Sequence, residues 1–169
     1  MIDFLSQRPI GRSGISVTPL GLGGAPFGNM YAAMAAGEAE ATVAAAFAAG
    51  IRYFDTAPLY GYGLSETRLG VAIKPLPRDE LVIASKVGFD LIPVEPSEVT
   101  SRIFVQPVPM RAEFNYSRDA TLRSIEASLK RLDTSHIDML AIHDPDEAVD
   151  VFGGCLLYTS DAADEGLGV

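Results

Sequence analysis

The sequence is poor in cysteine, in basic residues and in long apolar runs. Its single cysteine, Cys155, excludes a disulfide scaffold and fits a reducing compartment. Lys and Arg number 13 against 22 Asp and Glu, a net charge of −9, and this argues against a nucleic-acid partner because such a partner requires a basic face. The longest apolar run, residues 32–49, is interrupted by Gly37, Glu38 and Glu40 too early for a membrane span.

The N-terminus shows no basic segment followed by an apolar stretch, so no signal peptide is expected. The 169 residues are 48% hydrophobic and 21% charged, which is typical of one ordinary domain with a real core. We therefore expect a soluble, cytoplasmic globular protein that binds neither nucleic acid nor membrane.

Short apolar segments alternate with helix-like segments along the chain. The predicted strands are residues 17–23, 51–55, 81–86 and 137–142, and the predicted helices are residues 39–49, 66–73 and a third that ends at 131. Ser65 is a candidate N-cap of the second helix, and Ser117 or Asp119 of the third. Because the strands are apolar throughout rather than alternating, the pattern predicts an α/β fold with buried parallel strands. Turn-forming residues within 7–16 predict a small β-hairpin before it.

Polar residues stand at the C-terminal ends of three predicted strands. Asp55 ends the second strand, Lys86 ends the third, and His143 follows the fourth. Parallel strands place these ends at one edge, where ligands bind in barrels and open sheets alike. The connection between Val87 and Tyr116 is far longer than a usual βα loop of about 2–6 residues. Since it follows the strand that ends at Lys86, we expect a lid, a substrate loop or a disordered segment over the site.

Two kinds of site are not expected. The glycine-rich segments 21–26 and 61–66 lack the third glycine of a dinucleotide fingerprint, and no helix opens directly after 21–26, so a Rossmann domain is disfavoured. His136 and His143 flank one strand at an odd separation and would point to opposite sides, so a metal site is disfavoured too.

Asp55, Tyr60, Lys86 and His143 form the candidate site, since Tyr60 follows Asp55 through a short turn and can face the same mouth. A buried lysine needs a carboxylate partner, and Asp55 on the neighbouring strand is the obvious one. An ammonium beside a phenol favours the phenolate, and such a tyrosine exchanges a proton with a carbonyl or an alcohol. Each residue alone has a structural explanation, as a cap, a turn aromatic, a solvated strand end or a core histidine. Their placement on three consecutive strand ends favours a catalytic site.

Three segments resemble the aldo-keto reductase superfamily: Phe-Asp-Thr-Ala-Pro-Leu-Tyr-Gly at 54–61, Ala-Ser-Lys-Val at 84–87 and Ala-Ile-His-Asp-Pro at 141–145. The resemblance extends over about residues 8–150, in order. It implies a (β/α)8 TIM barrel that binds NAD or NADP without a Rossmann domain.

The same resemblance assigns roles to residues. It implies that Asp55, Tyr60, Lys86 and His143 are the catalytic set, with Tyr60 as general acid/base, Lys86 oriented by Asp55, and His143 hydrogen-bonded to the substrate oxygen. It also implies that Gly24, Ala25 and Asp55 contact the nicotinamide end of the cofactor.

Segments 19–26, 59–66 and 114–119 resemble the aldose 1-dehydrogenase branch of the superfamily. This implies a small-molecule substrate, an aldose, that is oxidised at C1 to the lactone. Alternatives within the same class are a pyridoxal 4-dehydrogenase-like enzyme and a general aldehyde or ketone reductase. An alternative of another class is a non-catalytic, cofactor-sensing partner subunit, such as the β subunits of potassium channels.

The predicted strands number four, whereas a whole barrel needs eight strands and about 250 residues. We therefore expect residues 1–154 to be the N-terminal half of the barrel, with the β-hairpin at its start, and residues 155–169 to be a non-native tail. Such a half barrel lacks the loops that grip the adenosine phosphate, so we expect it to be inactive alone. Its open edges predict self-association.

Overall fold

The computed structural model describes residues 6–146. The central strands and the helices follow the predicted order, but the predicted strand 17–23 is wrong as a single element, because it is divided into a hairpin strand at Ser16–Val17 and a sheet strand at Gly21–Gly23. The strands are β1 (Arg8–Pro9), β2 (Ser16–Val17), β3 (Gly21–Gly23), β4 (Tyr53–Asp55), β5 (Val82–Val87), β6 (Phe89–Pro93), β7 (Met110–Phe114) and β8 (Met139–Ile142). The helices are α1 (Glu38–Ala48), α2 (Leu64–Ile73) and α3 (Arg118–Leu132), with 3₁₀ turns at Ala25–Gly28, Arg78–Glu80 and Pro96–Glu98. The proposed boundary after residue 154 and the tail 155–169 lie outside the described residues. From residue 6 to residue 146, no helix is both long and apolar enough to cross a membrane.

The central sheet is parallel and has the strand order β3-β4-β5-β8. Phe54 of β4 pairs with Leu22 of β3 on one side and with Ile83 of β5 on the other. Phe54 and Ile83 are fully buried, which confirms the prediction of buried parallel strands at the centre of the sheet. Within residues 6–146, β8 pairs only with β5, and its Leu140 and Ile142 remain about half exposed.

The hydrophobic core lies between this sheet and the helices. Val43 of α1, Leu69 of α2 and Leu132 of α3 are fully buried together with Phe54. Each such side chain contributes about 1.5–3 kcal/mol when it is removed from water, so the helices are held to the sheet by apolar contact. The buried members of the core are Phe27, Ala39, Val43, Ala46, Phe54, Leu69, Ala72, Ile73, Leu81, Ile83 and Leu132.

The helix ends agree with the prediction at α3 but not at α2. The Ser117 hydroxyl accepts a hydrogen bond from the amide of Ala120, so Ser117 is the N-cap of α3. The predicted Ser65 cap is wrong, because α2 begins at Leu64 and its N-cap is Gly63, at φ 96°. Ser65 lies inside the first turn, where its hydroxyl is buried and donates to the Gly24 carbonyl at 2.7 Å.

Two antiparallel hairpins flank the sheet. The predicted N-terminal hairpin is confirmed, with Arg8 of β1 opposite Val17 of β2. The long connection after β5 contains the second hairpin, in which Leu91 of β6 pairs with Ala112 of β7. The connection is therefore an ordered substructure rather than a disordered segment.

Candidate active site

The predicted site residues meet at one edge of the parallel sheet. Asp55 is the last residue of β4, Lys86 is the penultimate residue of β5, and His143 directly follows β8. Because the three strands are parallel neighbours, their C-terminal ends bring these side chains to the same mouth. Tyr60 reaches this mouth from the turn between β4 and α2.

Lys86 and Asp55 form a short, largely buried ion pair. The Lys86 Nζ donates to Asp55 Oδ2 at 2.7 Å and to the Thr56 carbonyl at 3.0 Å, and the two charged side chains are 15% and 30% exposed. Burial alone would lower the pKa of Lys86, but the hydrogen bond and the negative charge of Asp55, with a smaller contribution from Tyr60, outweigh it and raise that pKa above its ordinary value. Lys86 is therefore a fixed positive charge at neutral pH.

Tyr60 lies between this ammonium and a histidine. The Lys86 Nζ is 4.8 Å from the centroid of the Tyr60 ring. The His143 ring approaches Tyr60 edge-on, with the centroids 5.5 Å apart. The Tyr60 carbonyl accepts a hydrogen bond from the amide of Ser65, which ties the turn to the start of α2. These contacts place a phenol between a cation and an imidazole.

A contact between two glycines fixes the turn that carries Tyr60. A Cβ atom at Gly28 would lie 2.5 Å from the Tyr60 carbonyl carbon, and one at Gly61 would lie 2.5 Å from the Gly28 carbonyl oxygen. Gly61 also has a φ of 64°, a region that favours glycine. Only two residues without side chains allow the backbones to approach this closely, so the position of Tyr60 depends on both.

His143 is buried in an aromatic environment. Its ring meets Tyr60 and also Phe89, whose centroid is 5.4 Å away in an edge-on contact. Burial lowers the pKa of His143; the nearby Asp144 opposes this and Lys86 reinforces it. The His143 carbonyl accepts a hydrogen bond from the Tyr116 hydroxyl at 2.7 Å, which holds the backbone in place. His143 is therefore a neutral imidazole at pH 7, with one ring nitrogen that donates and one that accepts.

The residues predicted to contact the cofactor lie beside this group. Gly24 follows β3; its amide donates to the Asp55 carbonyl at 2.7 Å, and its carbonyl accepts from Ser65. A Cβ atom at Gly24 would lie 2.8 Å from the Asp55 carbonyl oxygen, so packing alone requires glycine there. Ala25 is half-buried and opens the 3₁₀ turn. The polar backbone atoms of Gly24 are thus already used within the protein.

Sequence reasoning missed Phe104, which comes from the long connection and packs against Tyr60 at a centroid distance of 6.3 Å. In the sequence, only the length of this connection and its position after Lys86 indicated that it contributes to the site. It also missed the role of Glu66, a fully buried carboxylate of α2 that accepts from Ser85 at 2.6 Å and from Arg131 at 2.7 Å. The hydrogen bond from Ser85 joins α2 to β5, and the ion pair with Arg131 joins α2 to α3.

The two histidines occupy different environments. His143 is buried at the mouth, whereas His136 is about half exposed at the opposite end of β8. In the part of the chain that the structure describes, no group of three or more His, Cys, Asp or Glu residues could hold a metal ion.

Comparison with known proteins identifies the family of the chain. The model of the aldo/keto reductase family matches residues 19–166. D-threo-aldose 1-dehydrogenase from a Pseudomonas species is 42% identical over 138 residues, which are 79% of this chain and 42% of that protein. Pyridoxal 4-dehydrogenase from Microbacterium luteolum is 39% identical over 147 residues, which are 82% of this chain and 43% of that protein. The holo form of an aldo-keto reductase from Bacillus halodurans gives a TM-score of 0.63 at 26% identity and covers 88% of this chain and 45% of that one.

The parallel α/β sheet corresponds to the N-terminal portion of a (β/α)8 barrel. The chain belongs to the aldo/keto reductase family, and its relatives include sugar dehydrogenases. The predicted fold class is thereby confirmed. The chain spans about two-fifths of the length of the curated relatives it matches.

Proposed function

We propose that the protein is an NAD(P)-dependent oxidoreductase that oxidises an aldose at C1 to the lactone. The observation that carries the proposal is the convergence on Tyr60 of the Lys86 ammonium, 4.8 Å from its ring centroid, and of the His143 ring, 5.5 Å away. A phenol flanked by a fixed cation and a neutral imidazole suits the interconversion of an alcohol and a carbonyl. The identity of 42% to a D-threo-aldose 1-dehydrogenase supports an aldose as the substrate.

Oxidation of the anomeric hydroxyl removes a proton from oxygen and a hydride from carbon. In this direction Tyr60 acts as the phenolate, whose oxygen takes the proton, and in the reductive direction the phenol returns it. A bound nicotinamide dinucleotide supplies the hydride chemistry.

Lys86 and Asp55 act on the proton transfer. The ammonium keeps its charge through the physiological range because the pKa of Lys86 is raised. It stabilises the negative charge that develops on the Tyr60 oxygen when the phenolic proton is shared or lost. Asp55, at 2.7 Å, prevents the ammonium from turning towards solvent. Removal of either charge should therefore slow the chemical step.

His143 positions the substrate oxygen. Because the pKa of His143 is lowered, the ring is neutral and donates a hydrogen bond through one nitrogen without competing as an acid. The edge-on contacts with Phe89 and Tyr60 restrict the rotation of the ring. The substrate oxygen would then lie between His143 and the Tyr60 hydroxyl.

The residues present fit the nicotinamide end of a dinucleotide. The Asp55 side chain is 30% exposed, so its carboxylate can accept a hydrogen bond from a ribose hydroxyl while it holds Lys86. Gly24 and Ala25 would offer backbone surface for packing, since the amide and carbonyl of Gly24 are already paired. We propose NAD or NADP as the cofactor, and we propose that residues 1–154 belong to the barrel.

A pyridoxal 4-dehydrogenase-like activity is the second candidate. It is supported by the Microbacterium luteolum relative and by Phe104, whose ring beside Tyr60 offers a stacking face for a pyridine ring. A non-catalytic, cofactor-sensing subunit is supported less well, because such a role does not require Tyr60, Lys86 and Asp55 to stand together at 2.7–4.8 Å.

The test is a steady-state assay of the full-length protein with a panel of aldoses and pyridoxal and with NAD or NADP. Tyr60→Phe should lower kcat by about 10²–10⁴-fold, the usual effect of losing an acid–base group. Tyr31→Phe is the matched control, because it removes a hydroxyl from a side chain that is 73% exposed. An unchanged rate in Tyr60→Phe contradicts the mechanism, and turnover of pyridoxal without any aldose replaces the first candidate by the second.

A further inference from the structure

Residues 99–108, here called the strap, run between β6 and β7 and lie against the segment that follows β3. The amide of Tyr31 donates to the Ile103 carbonyl at 2.8 Å, and the amide of Val105 donates to the Asn29 carbonyl at 2.9 Å. These two bonds pair the strap with residues 29–31 in the manner of a short antiparallel ladder.

The strap is also attached to the turn that follows Tyr60. The amide of Val108 donates to the Gly61 carbonyl at 3.1 Å, and the Tyr62 hydroxyl donates to the Thr100 carbonyl at 2.8 Å. Both attachment points lie within two residues of Tyr60, so the strap and the candidate site share one stretch of backbone.

Phe104 is the residue through which the strap reaches the site. Its ring lies 6.3 Å from the Tyr60 ring and 6.2 Å from the Tyr62 ring, measured between centroids. It also borders a cavity of about 460 Å³ inside the connection. The other residues that line this cavity are Pro96, Val99, Ser101, Gln106, Pro107 and Pro109. The strap therefore presents an aromatic and largely apolar wall beside the reacting group.

The side chain of Asn29 is the one buried polar side chain that joins the strap to the body of the described domain. Its Nδ2 donates to the Val105 carbonyl at 2.9 Å, while its Oδ1 accepts from the Met34 amide at 3.0 Å and from Arg68 at 2.7 Å. The same Arg68 nitrogen also donates to the Phe27 carbonyl at 2.7 Å. Only one orientation of the amide satisfies all of these partners, because Arg68 and Met34 donate and Val105 accepts.

The backbone of Asn29 strengthens this arrangement. Its φ is 62°, a left-handed conformation that asparagine and aspartate adopt more readily than most residues. With Val105 it forms a reciprocal pair, since the backbone accepts from Val105 and the side chain donates to it. The residue is 4% exposed, so water does not compete for these bonds.

We propose that Asn29, held by Arg68, is a clamp that keeps the strap closed and so positions Phe104 as a wall of the substrate site. Asn29 is a positioning residue, because it acts on the substrate only through the strap. The part of the proposal that concerns substrate rests on the proposed function, whereas the clamp itself does not.

Asn29→Asp isolates the clamp. Aspartate keeps the size, the tolerance of positive φ and the acceptor for Arg68 and Met34, but it replaces the donor to Val105 by a second acceptor. Gln7→Glu is the matched control, since it makes the same amide-to-carboxylate change at an exposed residue of the N-terminal hairpin.

The first measurement is native-state trypsin cleavage after the exposed Arg102 of the strap. Cleavage of a locally opened segment follows its opening equilibrium, and the loss of one buried hydrogen bond should accelerate it about tenfold in Asn29→Asp. Cleavage after Lys86, in the central strand β5, reports global unfolding and serves as the internal reference. A rise at Arg102 alone supports the clamp; no rise, or an equal rise at both sites, overturns it.

The second measurement uses the absence of tryptophan from the sequence. In a Phe104→Trp background, the fluorescence reports residue 104 alone, and Asn29→Asp should increase its quenching by acrylamide while Gln7→Glu should not. Equal quenching in all three proteins would show that the clamp does not position residue 104.

The third measurement compares the effects of the substitution on KM and on kcat in the full-length protein. We expect Asn29→Asp to raise KM by a larger factor than it lowers kcat, because the wall moves while Tyr60 and Lys86 stay in place. An unchanged KM with faster cleavage at Arg102 would overturn the substrate role of Phe104. If no substrate is turned over, the proposed function fails, and the cleavage and fluorescence results still decide the clamp.

Discussion

The Lys86–Asp55 pair leads to a prediction about stability, tested by Asp55→Asn. The substitution keeps the shape of the side chain but removes the charge that lies 2.7 Å from Lys86 Nζ. Two unit charges at this distance attract by about 6 kcal/mol at an effective dielectric constant near 20, and the desolvation of both groups offsets much of that.

The burial of the pair sets the expected size of the effect. The side chains are 15% and 30% exposed, which lies between surface pairs, worth about 0–1 kcal/mol, and fully buried pairs, whose disruption costs about 3–5 kcal/mol. We therefore expect Asp55→Asn to lower the free energy of unfolding by about 2 kcal/mol at neutral pH. The measurement is denaturant unfolding followed by circular dichroism, with equal m-values required for the comparison.

The chain offers a matched control in Lys74 and Asp133, which form an equally short pair at 2.6 Å but are 72% and 64% exposed. Asp133→Asn should change the stability little, because solvent screens this pair and asparagine suits the positive φ of that residue. If Asp55→Asn proves as neutral as Asp133→Asn, burial does not strengthen the Lys86 pair and the reasoning is refuted.

The stability difference between wild type and Asp55→Asn should also depend on pH. Because the pKa of Lys86 is raised in the folded protein, its contribution to stability is complete below the unfolded value of 10.5 and is lost as the pH rises through the folded value. The difference between wild type and Asp55→Asn should therefore shrink at strongly alkaline pH. A difference that stays constant there would assign the effect to packing rather than to charge.

Two further predictions concern the other side of the site. Burial lowers the pKa of His143 below 6.5, so the unfolded chain binds that proton at a higher pH than the folded protein, and the stability should fall as the pH drops from 6.5 through the folded pKa. In His143→Gln, the free energy of unfolding should depend less steeply on pH across that range. Equal slopes in the two proteins would contradict the lowered pKa of His143. Gly61→Ala should destabilise the protein by about 1–3 kcal/mol, because φ is 64° and the new Cβ would lie 2.5 Å from the Gly28 carbonyl oxygen. Gly14→Ala, with φ 80° but open space around it, separates backbone strain from this contact, and an equal loss of melting temperature in the two variants would show that the contact is unimportant.

Much of the fold could be predicted because its signals are local. Apolar strands that end in polar residues identified the parallel sheet and placed Asp55, Lys86 and His143 at one edge. The Lys86–Asp55 pair followed from the need of a buried ammonium for a counter-charge, and the structure contains it at 2.7 Å. The Ser117 cap also depends only on neighbouring residues.

The features that were missed depend on contacts distant in sequence. Ser65 has the residue type of an N-cap, but a hydrogen bond to Gly24, 41 residues earlier in the chain, gives its hydroxyl another partner. Phe104 and Asn29 belong to segments whose pairing no periodicity reveals, since the Asn29–Val105 bond spans 76 residues. Residue type and spacing predict which chemistry is present, but not which loop encloses it.

The buried Glu66 of α2 has a consequence for how a change far from the mouth reaches the site. Both of its oxygens are in use, Oε1 by the Ser85 hydroxyl at 2.6 Å and Oε2 by Arg131 at 2.7 Å. Ser85 directly precedes Lys86 in β5, so one carboxylate joins two helices to the strand that carries the ammonium. A displacement of α3 against the sheet would therefore be transmitted through Glu66 to the backbone next to Lys86.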